Sequence, residues 1–398
     1  MKKVLLAILV SSSAAHAGGT EVAEQNAVSA GTGGAGAARD NDAGAAWHIP
    51  AALADDGGTR IGISLALAHP SLQAEGSTGW SAESENAWAT PPHIDASYAH
   101  GRFAAGVALG VPFGGGVTWP STWERSSEAI NTQLIVLRAA PFAAYAVADG
   151  KLRIAAGLHF DAGRLQVERG LDFIDTQGTV KLDLDGRGTG VDASAFYAAR
   201  PDLGIGLAFR SRTHITFDGN ANFTTPDAFS EKTPDQTAQT HMTLPDQFVL
   251  GARWHRDTLS ILGDITYTNW SVNQRTDVDF QMDQTPTATQ MNEWHDTVGL
   301  RAGAELQSTR SLIARFGAYF DPSPVPAEHL TPTAPDATRV ALTAGASYRI
   351  NAAWSADAFA EQMWLLRRDT TSVDTMPASY GGTAVVLGAG VRWTPSAE

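Results

Sequence analysis

Four arginines, Arg138, Arg153, Arg210 and Arg301, sit within stretches where apolar residues recur at every second position. A guanidinium fixed on a strand is a fork of donors suited to a carboxylate. The constellations that would signal catalysis fail on spacing or context. Gly31-Thr32-Gly33-Gly34-Ala35-Gly36 satisfies G-x-G-x-x-G, but the preceding residues 21–30 are mixed and polar where a nucleotide site needs a buried strand. Asp40-Asn41-Asp42 with Gly44 resembles the start of a calcium loop, yet the twelfth position is Ala51 and cannot supply the closing acid. The 11 histidines are scattered without H-E-x-x-H, there is no G-x-S-x-G, and there is no cysteine. No catalytic residue, metal ligand or cofactor is expected, and the chain does not read as an enzyme. What remains is recognition. Phe113, Trp119 and Trp123, near Pro112, fall in an apparent long loop. Apolar side chains there suit an apolar ligand or pack on neighbouring loops. Arg138 and Arg210 are candidate partners for its polar head.

The elements that would position these residues are strands. Ile61, Ile63, Leu65 and Leu67 alternate with Gly62, Ser64, Ala66 and Ala68. Val180, Leu182 and Leu184 alternate with Lys181, Asp183 and Asp185; Ile261, Ile265 and Tyr267 share a face opposite Asp264, Thr266 and Thr268. The same period recurs at Val298, Leu300 and Leu306 against Arg301 and Glu305, and at Val385, Leu387 and Val391 against Arg392. Charges inside such strands call for a wet or internally paired interior. Short polar turns (100–102, 148–150, 200–202, 256–257, 308–309, 350–351) alternate with longer connections (70–90, 112–129, 224–240, 285–292, 321–337, 369–379). About fourteen strands result, an even number. Aromatics near strand ends (Tyr98, Trp254, Tyr267, Trp270, Trp294, Tyr319, Tyr348, Trp364, Trp393) suggest interfacial girdles.

Lys2-Lys3, an apolar run from Val4 to Val10 and Ala15-His16-Ala17 have the form of a signal peptide over 1–17. No stretch of 18 apolar residues follows, so membrane helices are excluded. A formal net charge of −14 speaks against a nucleic-acid partner. The expectation is an all-β chain: a transmembrane antiparallel β-barrel over 57–398 in the bacterial outer membrane, a monomer among lipid and lipopolysaccharide. The Gly/Ala-rich segment 18–56 precedes it as a linker or a packed plug.

The segment from Ser29-Ala30-Gly31 through Asp42-Ala43 to Pro50-Ala51-Ala52-Leu53 resembles the start of the FadL-type outer-membrane long-chain fatty-acid transporters, a family that includes TodX-like hydrocarbon channels. Val111-Pro112-Phe113-Gly114, Leu244-Pro245-Asp246, Asn269-Trp270-Ser271, Trp294-His295-Asp296-Thr297 and Phe320-Asp321-Pro322 continue the resemblance in the same order. It implies a fourteen-stranded barrel with an N-terminal luminal hatch. Hydrophobic ligand, a fatty acid or a hydrocarbon, would enter from the outer loops, occupy an apolar pocket and leave sideways at an inward kink of the third strand. Pro50 and Ala51 match the hatch motif, although Ile49 stands where the family carries asparagine. Gly106 and Gly110 lie in the third strand, where glycine permits a bend. The family's terminal phenylalanine is missing; Trp393 is the last aromatic residue, at the end that the barrel assembly machinery would recognise. The alternative is a general porin or structural outer-membrane protein without a specific ligand.

Overall fold

The period-two segments pair, each with the next, into one antiparallel sheet that closes on itself. The computed structural model describes residues 19–395 apart from 41, 56, 174–175, 228, 232, 283–284 and 373–374. The expected signal peptide lies outside the described residues. The barrel has 14 strands. They are β1 (Gly58–Gly76), β2 (Pro92–His100), β3 (Phe103–Thr118), β4 (Asn131–Val147), β5 (Leu152–Asp172), β6 (Gln177–Arg200), β7 (Leu203–Arg210 and Thr213–Thr224), β8 (Gln236–Leu244 and Gln247–Arg256), β9 (Leu259–Thr268 and Arg275–Phe280), β10 (Ala288–Met291 and Thr297–Gln307), β11 (Leu312–Asp321), β12 (Arg339–Arg349), β13 (Trp354–Asp369) and β14 (Ala378–Trp393). Closure runs along β1 and β14, from Ile61 opposite Trp393 to Gly76 opposite Ala378.

The predicted short turns all lie at one end. Asp149 and Asp257 adopt φ of 56° and 54°, a left-handed conformation that aspartate tolerates in tight turns. At the other end the strands run further than the sequence suggested. β1 continues past Pro70 to Gly76, and β3 continues through Phe113 to Thr118, so Phe113 is a strand residue and not a loop residue. β6 has 24 residues, whereas about 9–11 tilted residues cross a bilayer. The excess stands clear of the hydrocarbon, and the polarity of each face inverts there. Near the short turns the outward residues are apolar (Ile63, Leu158, Leu250, Leu300), and the inward ones are polar (Arg60, Asp264, Arg301, Glu305). Higher up β6, Val180, Leu182 and Leu184 point inward and are buried, while Lys181 and Asp183 point outward. The expectation that these β6 charges face a wet interior is thereby corrected.

Strand breaks mark this boundary. The side chain of Asp246, between the halves of β8, accepts from the Arg212 backbone N–H (2.8 Å) at the break in β7 and from Asn269 (3.2 Å) at the break in β9. Asp296 accepts from Tyr267 (2.6 Å) and from the Ser271 N–H (2.9 Å). Outward Tyr98, Phe103, Tyr348 and Trp354 ring the short-turn end, as girdles require. Trp270 and Tyr319 depart from that expectation: both are buried inside.

Residues 19–55 run through the lumen, with short helical turns at Ala27–Ala30, Ala45–His48 and Pro50–Leu53. Gly33 lies so close to β11 (φ +67°) that a Cβ would be 2.7 Å from the Ala318 backbone. That is the use of its glycines, in place of nucleotide binding. Ile49 is fully buried with Leu53, Phe142 and Phe196, so apolar packing occupies the place of the family's asparagine.

The outer apolar band fixes a test. Leu250→Arg should lower the unfolding free energy in lipid vesicles by about 2–4 kcal/mol, whereas Thr237→Arg, outward on the upper part of β8, should change it by about 0–1 kcal/mol. Equal effects in urea titrations would place the membrane elsewhere on the barrel.

Candidate functional site

The inverted upper interior produces a cavity of about 260 Å³. Leu134, Leu165, Leu182, Met242, Leu244, Val278 and Phe280 supply apolar wall from β4, β5, β6, β8 and β9, and Trp270 and Trp294 add aromatic faces. The polar residues on the wall are few. Glu128 is held by Arg125 through two hydrogen bonds, 2.9 and 2.6 Å, and by Thr375 at 2.6 Å, so its charge is compensated. Arg169, on β5, also borders the cavity; among the described residues no acid or hydrogen-bond acceptor engages it. Thr132 borders it too, with a buried hydroxyl that has no partner among the described residues. Its cross-strand neighbour is Val167, two residues from Arg169 on the same face.

Below the cavity the lumen is charged and closed by pairing. Glu305 joins Arg39 (2.7 Å) and Arg315 (2.6 Å). Arg253 holds Asp40 at 2.8 Å, and Arg392 lies between Asp42 (3.6 Å) and Asp357 (2.7 Å). Asp264 accepts from the N–H groups of Gly36 (2.8 Å) and Ala37 (2.9 Å). The body of the N-terminal segment is therefore fixed to the wall by buried charges, and removing one partner of such a pair is strongly destabilising.

Its leading residues are held differently. The Gly19 N–H donates to Asp336, in the loop after β11, at 3.2 Å. Gly19 has φ +66°, and a Cβ there would stand 2.3 Å from the Trp270 ring, so only glycine fits against this cavity wall. Thr20 borders the cavity, and its carbonyl accepts from Gly114 at 2.7 Å. The Val22 N–H donates to Pro112 O (2.9 Å), and Gln25 reaches Val111 O (2.8 Å). One short stretch thus touches the cavity, an outer loop and the edge of β3.

That edge is free because β2 starts only at Pro92. β2 pairs with β3 from His100–Phe103 up to Ile94–Leu109. Above this the β3–β4 register shifts between Gly110 and Phe113, and residues 110–117 of β3 are buried on both faces. The strand has turned inward. A second cavity, of about 50 Å³, occupies the resulting gap. It extends from Glu21 and Val22 inside to Ile135. Leu134 and Val136 face the luminal core, so Ile135 belongs to the outer face of β4, and the cavity reaches from the lumen to the level of that face.

The sequence-based candidates are dispersed. Phe113 is buried at the β3 bulge, edge-on to Trp270 at 5.9 Å, one layer behind the large cavity. Trp119 and Trp123 are not exposed: they stack on each other at 4.7 Å, and each indole N–H donates to a backbone carbonyl, of Pro332 and Ala129 respectively. Arg138 is engaged by Asp161 through two 2.8 Å bonds, and Arg210 donates to Trp47 O at 2.6 Å. Both border small lower cavities, of about 30 Å³ for Arg138 and about 30 and 50 Å³ for Arg210. Arg153 donates to Ala52 O at 2.8 Å, and Arg301 pairs with Asp321 at 3.3 Å. Pro50 opens the last helical turn, and the Ala51 N–H donates to the Ser194 hydroxyl at 3.0 Å. The bend begins just after Gly110. Gly106 sits in unbroken ladder, where a Cβ would meet Ala96 O at 2.3 Å. Arg169 went unrecognised; the signal available was an arginine in phase with apolar Leu165 and Val167.

The family described as outer membrane protein transport protein (OMPP1/FadL/TodX) matches residues 8–394, and the chain belongs to it. No curated protein matches the sequence. A crystal structure of a Pseudomonas aeruginosa FadL homologue superposes with a TM-score of 0.83 at 19% identity, covering 93% of this chain and 98% of that one. The P. putida toluene transporter TodX gives 0.78 at 16% identity, over 95% and 100%. The CymD monoaromatic hydrocarbon channel gives 0.72 at 19%, over 93% and 97%. At these identities the likeness establishes the barrel fold. Family and barrel together place the chain in the outer membrane.

The Asp336 contact has a definite pH dependence. Burial pushes the Asp336 carboxyl up to about 7, against the Ser323 hydroxyl, Arg339, Arg368 and the Gly19 N–H, which favour the anion. The Gly19 N–H is among the groups that favour the anion, so its bond to Asp336 is weakest while the carboxyl is protonated and strengthens as pH rises through about 7. Amide exchange at Gly19, corrected for its intrinsic rate, should be slower at pH 7.5 than at 5.5, and Asp336→Asn should remove the difference. Equal protection at both pH values would show that Asp336 does not hold this residue.

Proposed function

We propose that this member of the OMPP1/FadL/TodX family takes up long-chain fatty acids, binding them in the 260 Å³ cavity and releasing them sideways through the gap beside β3. The observation that carries the reading is the apolar cavity bordered by Arg169, a guanidinium with no acid partner among the described residues. Each acyl CH₂ withdrawn from water contributes about 0.8 kcal/mol, so the wall supplies affinity without directional chemistry. The carboxylate is costly to bury alone, and Arg169 with the Thr132 hydroxyl offers it a charge partner and a donor. An apolar cavity of about 150 Å³ accepts a benzene ring, so this one is larger than a single ring requires.

A lumen filled by residues 19–55 argues against free diffusion as in a general porin. The aromatic faces of Trp270 and Trp294 favour a second reading, uptake of aromatic hydrocarbons, which need no cation. As the hatch, residues 19–55 would move at their leading end, where a single ion pair, Glu21 with Arg301 at 3.5 Å, has to part, because several paired charges fix the rest. Ligand against Thr20 and Trp270 would favour a state in which residues 19–22 leave the β3 edge.

The two substrates separate at one side chain. Arg169→Gln should weaken binding of a fluorescent fatty acid by about 3- to 5-fold, the scale of a partly exposed ion pair, and leave toluene competition unchanged. Equal binding of the acid by both proteins would favour the hydrocarbon reading. For the exit, Ala66→Phe fills the gap from β1 and should abolish uptake while binding persists. Normal uptake by that variant would reject lateral release.

A further inference from the structure

We propose that residues 84–91 form a hinged strap that shuts the β3 gap from the membrane side, with the Trp88–His69 stack as its closing contact. The inference rests on lateral release and names the element that controls it. Where β2 would have continued upward, the chain instead runs irregularly as Ser84-Glu85-Asn86-Ala87-Trp88-Ala89-Thr90-Pro91, and Pro92 begins the strand. Neither proline has an N–H to offer a ladder.

The strap is attached mainly on its β1 side. Ala68 and Ala89 exchange two backbone bonds (2.9 and 2.8 Å), and the Ala66 N–H reaches Pro91 O at 3.3 Å. Toward β3 the backbone bonds found sit only at the top, where the Glu85 N–H donates to Thr118 O (2.7 Å) and the Thr118 N–H to the Asn86 side chain (2.8 Å). Between Thr118 and Leu109, β3 turns to the N-terminal segment through Pro112 and Gly114. The strap edge over the gap is thus unladdered, and Ala89 and Pro91 form one wall of the gap cavity.

Trp88 holds the strap to β1 from outside. Its ring lies on His69 of β1 at 4.8 Å and 21°, and it remains 47% exposed. His69 stands just above outward Leu65 and Leu67, where the apolar band gives way to polar Ser71, Gln73 and Glu75. A half-exposed tryptophan at that height suits the headgroup interface. Peeling the whole strap from β1 breaks four backbone bonds, the side-chain bonds of Ser84 to Leu72 and of Asn86 to Pro70, and one ring stack, and opens the cavity beside Ile135 to the bilayer.

The absence of cysteine permits a clean lock. Ala68 and Ala89 are direct antiparallel partners, a separation that a disulfide spans, and the periplasm is oxidising. In the Ala68→Cys/Ala89→Cys protein, cellular uptake of a labelled long-chain fatty acid should fall at least about tenfold when oxidised and return on reduction, with binding unchanged in both states. Trp88→Ala should speed release of bound fluorescent fatty acid into liposomes by about 2- to 10-fold, the scale of one aromatic contact. Unchanged uptake in the oxidised protein would overturn the proposal. Ala66→Phe then separates the causes: if it still blocks uptake, lateral release stands without the strap, and if it does not, both fall.

Discussion

The structure depends on one constraint: the hydrocarbon of the membrane is thinner than the strands are long. Below its upper edge the outward face must be apolar, and the interior can be polar. Above it water lies outside, and the apolar side chains on the same strands have only the interior to occupy. Leu182 and Leu184 on β6 turn inward for this reason, where lower down the outward positions carry Val191 and Tyr197. The upper cavity is therefore a by-product of strand length. A barrel trimmed to membrane height would have had no dry upper chamber.

The lower lumen shows the complementary consequence. A polar interior this narrow is filled by the N-terminal segment, and its charges meet opposite ones, as at Glu305, or backbone groups, as at Asp264 and Arg210. Such pairs contribute little net stability, because desolvating both ions offsets much of their attraction. They do set position. Arg39, Asp40 and Asp42 each answer a charge on a different part of the wall, so the body of the segment has one seat. The leading residues carry fewer such ties: Gly19, Thr20 and Val22 are held by single backbone bonds, while Glu21 lies 3.5 Å from Arg301 and its carbonyl accepts from Arg339 at 2.9 Å.

Alternation in the sequence revealed the strands, their number and the short turns, because each depends on local chemistry: period two, and Asp or Gly where the backbone turns left-handed. The third strand was marked instead by the family resemblance and by Gly106 and Gly110. Alternation could not reveal height. Val180-Lys181-Leu182-Asp183 and Ile261-Leu262-Gly263-Asp264 carry similar patterns, yet their apolar faces point opposite ways, since direction is set by where the membrane ends. The same blindness left open whether Trp119 and Trp123 meet a ligand or pack, and they are packed on each other; it also passed over Arg169, whose significance arises only once its face is known to be internal. Arg138 and Arg210 illustrate the converse. Both do face the lumen, but Asp161 and Trp47 already occupy them.

The gap beside β3 follows from two short sequence features acting together. Pro91-Pro92 prevents β2 from extending upward, which leaves the upper half of β3 without a partner on that side. An unpaired strand edge in a membrane is costly, since each lost backbone bond goes unreplaced in hydrocarbon. The inward turn after Gly110 relieves this, because it brings the edge to Thr20 and Val22 of the N-terminal segment. The same bonds that satisfy the strand therefore tie the gap to the residues bordering the upper cavity. A ligand that displaced Thr20 would leave β3 unsatisfied unless the edge moved too. Such a coupling between occupancy and opening would require no relay through the barrel, only the rule that backbone donors and acceptors in a membrane protein must be paired.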